Sequence, residues 1–230
     1  MEDPLYIKSN FFWSLQFKKR GFYMKNEVYT TNKAIFISEA WKVLAEFGLE
    51  GFSMRKLAVK VGKTVSTLYH YFPNKEVLFA ELIEHALEEL IYPVDSLTWQ
   101  DKFMSYGENI LDVLNNSPYL AQLMLEIPPN LPNYQKLNDN LLMIANDIPI
   151  KKIEKLFFVN MYMNFILNFK MDADRLSRNS TEKVIEHTKD NLQPFLSSYR
   201  EGGYFDKLGS TEMFYFGLKL LIFGIDKKTF

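Results

Sequence analysis

The stretch Gly62-Lys63-Thr64-Val65-Ser66-Thr67-Leu68-Tyr69-His70-Tyr71-Phe72-Pro73-Asn74-Lys75 decides the fold, because it reads as a helix of about two turns fenced by a glycine and a proline. A helix that short does not hold itself in water, so neighbours must carry it. The preceding segment Ser53-Met54-Arg55-Lys56-Leu57-Ala58-Val59-Lys60-Val61 supplies one. Ser53 is a good N-cap, Leu57, Ala58 and Val61 repeat at helical spacing, and Gly62 can take the positive φ that ends a helix. The pair reads as a helix-turn-helix.

Corners of this kind also occur in helical bundles that never meet nucleic acid, so the side chains must decide. From Ser53 to Lys75 the cations are Arg55, Lys56, Lys60, Lys63 and Lys75, with no Asp or Glu, in a chain of net charge −1. A solvated structural corner normally mixes both signs. Val65, Ser66, Thr67 and His70 are small or hydrogen-bonding and read as outward, whereas Leu68 and Phe72 read as core. Such a slim face suits a major groove, which admits a helix only if its side chains can approach the base edges.

The same division runs through the whole chain. Residues 24–75 carry eight Lys or Arg against four Asp or Glu, and residues 76–230 carry 15 against 22, so only the first block is built to sit on phosphate. Of the residues, 47% are hydrophobic and 24% charged, as in a globular protein with ample core. Cysteine is absent, which removes disulfides and thiolate metal sites and fits a reducing cytoplasm. The most apolar windows, Leu156 to Phe169 and Met213 to Ile225, are shorter than about 18 residues and are broken by Asn or Lys, so they read as buried helices rather than membrane spans. The first residues carry no pattern of a secretory signal.

Residues 1–23 look unlike the rest. The codons for Lys19-Arg20-Gly21 can spell a purine-rich ribosome-binding sequence ahead of Met24, so one expectation is a natural start at Met24; the other is an N-terminal arm whose cations reach phosphate. Thr30, Thr31 or Asn32 then caps a helix with Ile37, Ala40, Trp41, Leu44 and Phe47 on one face, ending at Gly48. Pro73 to Lys75 opens a long helix to about Ile91, with Val77, Leu78, Leu82, Ala86 and Leu90 on one face and Glu81, Glu84, Glu88 and Glu89 on the other. It is a lever between the basic and the acidic halves. Beyond Pro93 helices are expected at about 98–116, 118–127, 134–147, 150–170, 181–199 and 211–225, with Asp172 to Ser180 as a polar loop. No alternating pattern is long enough for a sheet. The expected fold is all-α: an N-terminal helix-turn-helix domain at 24–75, then a helical effector-binding and dimerisation domain at 76–230.

Ala45-Glu46-Phe47-Gly48-Leu49-Glu50-Gly51-Phe52-Ser53-Met54-Arg55-Lys56-Leu57-Ala58, followed by Thr67-Leu68-Tyr69-His70-Tyr71-Phe72-Pro73-Asn74-Lys75-Glu76, closely resembles the DNA-binding module of the tetracycline-repressor (TetR) family. Lys63 departs from that pattern, which usually has a small apolar residue there. Phe214 to Ile225 resembles the last helix of the branch that contains the tetracycline repressors proper, and Trp99-Gln100-Asp101 resembles the start of their fifth helix. Most of residues 31–225 falls under the family pattern.

The resemblance implies that Arg55 reads a guanine. Val65, Ser66, Thr67 and His70 are expected at base edges, Val65 against a thymine methyl. Thr64, Tyr69, Tyr71 and Lys75 are expected on phosphates, because hydroxyls and a helix N-terminus hold anions without reading sequence. Lys56, Lys60 and Lys63 act as long-range attraction only. One module makes too few contacts for a unique genomic site, so a two-fold homodimer on a palindromic operator is expected.

By resemblance, the dimer surface lies on the helix at 150–170 and on the last helix, where Phe157, Asn160, Phe216, Gly217, Leu220 and Gly224 are expected. Asn160, Asn164 and Asn168 recur every fourth residue there. Three readings stand open for them: pairing across the dimer, lining the effector pocket, or facing solvent. The pocket is expected within the 98–170 helices, lined by Phe103, Tyr106, Ile110, Met124, Met143, Met161, Asn164 and Phe165, for a small and largely apolar molecule. Counted from Trp99, the family's pocket Asn and Phe fall on Tyr106 and Ile110 and its magnesium-binding His falls near Met124, which argues against tetracycline itself. Neither His85 nor His187 replaces that histidine.

No catalytic or metal motif is expected, and no cofactor. His70, His85 and His187 are far apart, and Glu186-His187 with Asp190 reads as a solvated helix face. The expectation is a ligand-responsive DNA-binding regulator, a repressor, with a dimeric helical enzyme or small-molecule carrier as the rival.

Overall fold

The computed structural model describes residues 32–94, 97–178 and 194–225. The chain divides into two compact units, Met1–Ala34 and Ile35–Phe230. The expectations for residues 1–31, for the first part of the 181–199 helix, and for Glu186, His187 and Asp190 lie outside the described residues. Among the described residues there are ten α-helices, one 3-10 helix and no strand.

α1 (Asn32–Gly51), α2 (Met54–Lys60) and α3 (Val65–Tyr71) form the N-terminal module. Phe36, Ala40, Val43 and Leu44 of α1 bury against Leu57 of α2, Leu68 of α3 and Phe72. α1 runs past the expected stop, but Gly48 within it has φ 69 and ψ 176, which breaks the helical path at the glycine anticipated as its end.

α4 (Lys75–Leu87) is capped by Asn74, whose Oδ1 accepts from the Val77 amide at 2.8 Å. It stops one turn short of Ile91. Its inward face is Leu78, Phe79, Leu82, Ile83, Ala86 and Leu87; Val77, expected inward, is exposed.

The body consists of α5 (Trp99–Asn116), α6 (Leu120–Glu126), α7 (Pro132–Ala145), α8 (Lys152–Arg178), α9 (Pro194–Glu201), the 3-10 turn Tyr204–Lys207 and α10 (Thr211–Phe223). α8 corrects one expectation: the polar segment from Asp172 is helical through Arg178. Lys170 pairs with Asp174 one turn on, and Arg175 with Asp172 at 2.6 Å, so charges that read as a loop instead brace a helix surface. Among the described residues no helix is long and apolar enough to cross a membrane.

Candidate nucleic-acid interface and effector body

The reader is set by two hydroxyl caps and one glycine. Ser53 Oγ accepts from the Lys56 amide at 3.2 Å and starts α2. Gly62, with φ 63, turns the chain between the helices, and no Cβ would meet an obstacle there. Thr64 Oγ1 accepts from the Thr67 amide at 3.2 Å and lies 2.9 Å from Thr67 Oγ1, so the two hydroxyls are tied together at the start of α3. Leu68 and Phe72 are fully buried beneath it, as the sequence requires.

Ser66, Tyr69 and His70 are exposed on the outer face of α3, with Val65 and Thr67 half-exposed at its margins, and Arg55 is exposed on α2. Tyr71 is half-buried: its ring stands edge-on to Phe36, 5.2 Å between centroids, and beside His70. It seats the reader on α1.

Three lysines are more engaged than the sequence indicated. Lys60 pairs with Glu46 at 3.1 Å. Lys56 Nζ donates to the Gly51 carbonyl at 2.7 Å and lies 4.1 Å above the Phe47 ring. Lys75 Nζ donates to the Leu49 carbonyl at 3.2 Å and sits near the rings of Phe79 and Phe52. All three thereby hold the C-terminal end of α1, where carbonyl oxygens concentrate negative charge. An ammonium has three donors, so Lys75 keeps two for a phosphate.

α4 joins this module to the body. Both carboxylate oxygens of Glu84 accept from the Asn133 amide, at 3.0 and 2.9 Å, and one also accepts from Tyr134 at 3.3 Å; Asn133 Nδ2 returns a bond to the Glu84 carbonyl. The N-cap of α7, Leu131, has no side chain to offer, so a residue of α4 caps a helix of the body.

Inside the body, Phe103, Tyr106 and Ile110 of α5 and Met124 of α6, four of the residues expected to line the effector pocket, are buried in the core. The others are not with them. Met143 and Met161 are 57% and 58% exposed, and Asn164 is exposed, because each stands on the outer face of its helix. Phe165 is half-buried and stacks on Phe214 of α10, centroids 5.9 Å apart.

Spacing analysis missed Tyr134, Asn140, Phe158 and Tyr162. Phe158 and Tyr162 close an aromatic cluster with Phe103, at centroid distances of 4.9 and 5.0 Å. The hydroxyl of Tyr162 donates to the Phe103 carbonyl at 2.6 Å, Tyr134 donates to the Met124 carbonyl at 2.9 Å, and Asn140 Nδ2 donates to Tyr106 Oη at 3.3 Å. Burial pushes the Tyr106, Tyr134 and Tyr162 phenols up from their ordinary range. Among the described residues no three His, Cys, Asp or Glu side chains gather as metal ligands.

On the outside, Ile153, Leu156, Phe157 and Met161 of α8 and Phe216, Leu220 and Phe223 of α10 present large apolar side chains to solvent. Gly217 is not part of that surface in the way expected. A Cβ there would lie 2.2 Å from Phe165 Cζ, so the glycine makes room for a ring of the same chain. Gly224 is exposed and caps the end of α10, its amide donating to the Leu220 carbonyl at 3.0 Å.

A helix-turn-helix with a cationic outer face, fixed to a larger helical body, defines a class of DNA-binding regulators. Residues 36–82 match the family model described as bacterial regulatory proteins, tetR family, and residues 92–229 match the tetracyclin repressor-like C-terminal domain. The chain belongs to the tetR family of bacterial regulatory proteins, and is thus a transcriptional regulator rather than an enzyme. It is similar to tetracycline repressor protein class E of Escherichia coli, 28% identical over 192 residues covering 82% of this chain and 87% of that one. Nucleoid occlusion factor SlmA of Vibrio cholerae is 29% identical over 111 residues, 48% of this chain and 52% of its own length.

Two solved structures share the fold over 84% of this chain. A possible TetR family transcriptional regulator from Streptomyces coelicolor superposes with a TM-score of 0.71 at 19% identity and 98% coverage of its own chain. The protein ActR of the same organism, solved in complex with actinorhodin, gives 0.69 at 17% identity and 96% coverage.

Proposed function

We propose that the chain is a cytoplasmic repressor, with residues 24–75 as reader and 76–230 as body. It acts as a homodimer on a palindromic operator and is released by a small, largely apolar effector. One observation carries the reading: a helix pair from Ser53 to Lys75, cationic and free of carboxylates, whose exposed Arg55, Ser66, Tyr69 and His70 face outward, is joined through α4 to a body with buried phenols. Arg55 meets a guanine, the α3 side chains meet base edges, and Thr64, Tyr69 and Lys75 meet phosphates. The apolar faces of α8 and α10 join two copies, placing two readers in successive major grooves.

Similar proteins support each half of this account. BioQ has been solved with its double-stranded DNA operator, and a tetracycline-repressor variant of Acinetobacter baumannii with minocycline. The effector favours a dimer arrangement whose readers no longer match the groove spacing, and it can shift that balance only by its difference in affinity for the two arrangements.

The test begins with DNA fragments selected by the purified protein from its own genome. Arg55→Ala should cost about 1–3 kcal/mol on the selected site and relax preference at one base pair, whereas Lys75→Ala should weaken all sequences alike and flatten the salt dependence. Equal losses on selected and random DNA for both variants would refute the assignment of roles, and no affinity for any duplex at low salt would refute the function.

A further inference from the structure

Asn160, Asn164 and Asn168 are all exposed on α8. At about 100° per residue, Asn164 and Asn168 fall roughly 20° to either side of Phe157, with Ile153 and Met161 roughly 20° beyond them. The amides therefore occupy the middle of the apolar stripe rather than its margin. α10 extends the surface with exposed Phe216, Leu220 and Phe223. Between Lys155 and Lys170, α8 carries no charged residue at all. A helix face meant for water carries charges, as α8 does at both of its ends with Lys152, Asp172 and Arg175.

The amides already form a ladder. Asn164 Nδ2 donates to Asn160 Oδ1 at 2.9 Å, and Asn168 Nδ2 donates to the Asn164 main-chain carbonyl at 2.8 Å. Asn160 thus keeps both of its amide N–H groups, while the side-chain oxygens of Asn164 and Asn168 keep their lone pairs. The ladder has spare donors at its Asn160 end and spare acceptors at its Asn168 end. A two-fold axis through Asn164 sets the donor end of one ladder against the acceptor end of the other.

We infer that this ladder decides which chain the protein pairs with: α8 crosses the α8 of a second copy about a two-fold axis near Asn164, so that Asn160 faces Asn168 of the other copy and Asn164 faces itself. The inference rests on the dimer reading above and adds the basis of partner choice to it. The surrounding apolar side chains attract any apolar helix and discriminate little. A related chain with an aliphatic residue in place of the amides would bury the spare donors and acceptors of the ladder unpaired, which weighs against that pairing. Only a chain with amides in the same register satisfies them.

The experiment uses the full chain with Asn164→Asp and Asn164→Lys, at a position whose exposure keeps both substitutions out of the protomer core. Each variant alone should lose at least about tenfold in dimer affinity, because like charges then meet at the axis, and an equimolar mixture should form mixed dimers well above the statistical share. Native mass spectrometry counts the species. A second variant with Leu at 160, 164 and 168 should still dimerise, yet exchange with the wild-type chain far below the statistical share. If the wild type is dimeric while both charged variants dimerise equally well and mix statistically, the amides face water and the inference is overturned. A monomeric wild type overturns the dimer reading itself.

Discussion

The phenol oxygen of Tyr119 lies 3.0 Å from the position a Cβ would occupy on Gly48, so a residue of the body rests on the backbone of the reader's brace. Tyr119 has φ 64, and among the described residues no other non-glycine has a positive φ. Arg178, at the end of α8, holds it there: Nη1 donates to the Tyr119 hydroxyl at 2.8 Å and the guanidinium lies 5.0 Å from the ring centroid. Gly48 itself has φ 69 and ψ 176, a conformation essentially restricted to glycine. Gly48→Ala should therefore cost about 1–3 kcal/mol in urea unfolding. Adding Tyr119→Ala should not restore the loss, because the strain belongs to the backbone; full rescue would place it in the side-chain contact instead.

The cap that Glu84 provides to α7 makes a second test. Glu84→Ala leaves the Asn133 and Tyr134 amides without their carboxylate and should destabilise the chain by about 1–2 kcal/mol. Glu84→Gln should lose less, because one oxygen still accepts. Amide hydrogen exchange at Asn133 and Tyr134 should quicken in both variants, and unchanged protection would show that the cap is dispensable.

Gly217→Ala sets a methyl group against the Phe165 ring and should cost about 1–3 kcal/mol, as overpacking does. Combining it with Phe165→Leu should recover part of that loss, since the smaller side chain vacates the space. Strict additivity of the two substitutions, read by thermal melting, would contradict the contact.

Glu108 gives a pH signature. Burial, opposed by a hydrogen bond from Tyr215 and helped by the nearby Asp112 carboxylate, raises its carboxyl to about 7. The folded chain therefore holds this proton more tightly than the unfolded chain does, and stability should fall as pH rises from the ordinary carboxylate range to about 7, then level off. Glu108→Gln should remove that slope and be the more stable form above neutrality. Parallel melting curves of the two chains from pH 5 to 8 would contradict it.

The reader was legible because its determinants are local. Ser53 and Gly62 act on residues within one turn, so spacing alone places them, and Leu68 and Phe72 have one apolar direction to point in. The body was less so, because α8 and α10 are apolar on two faces. Periodicity cannot say which of those faces meets the core, so on α8 it favours Met161 for the interior and passes over Phe158 and Tyr162. Glu84 reads as one more acid on a solvated lever, since nothing near it in sequence reveals an uncapped helix almost fifty residues on. The charges after Asp172 read as loop until their pairing at helical spacing is known.

α4 is pinned near both ends, by Lys75 on the Leu49 carbonyl of α1 and by Glu84 on the first peptides of α7. Nine residues of helix separate the pins, about 13 Å of rigid arm. A displacement of the first turn of α7 would therefore reach the reader through a stiff arm held near both of its ends, rather than being absorbed in a joint.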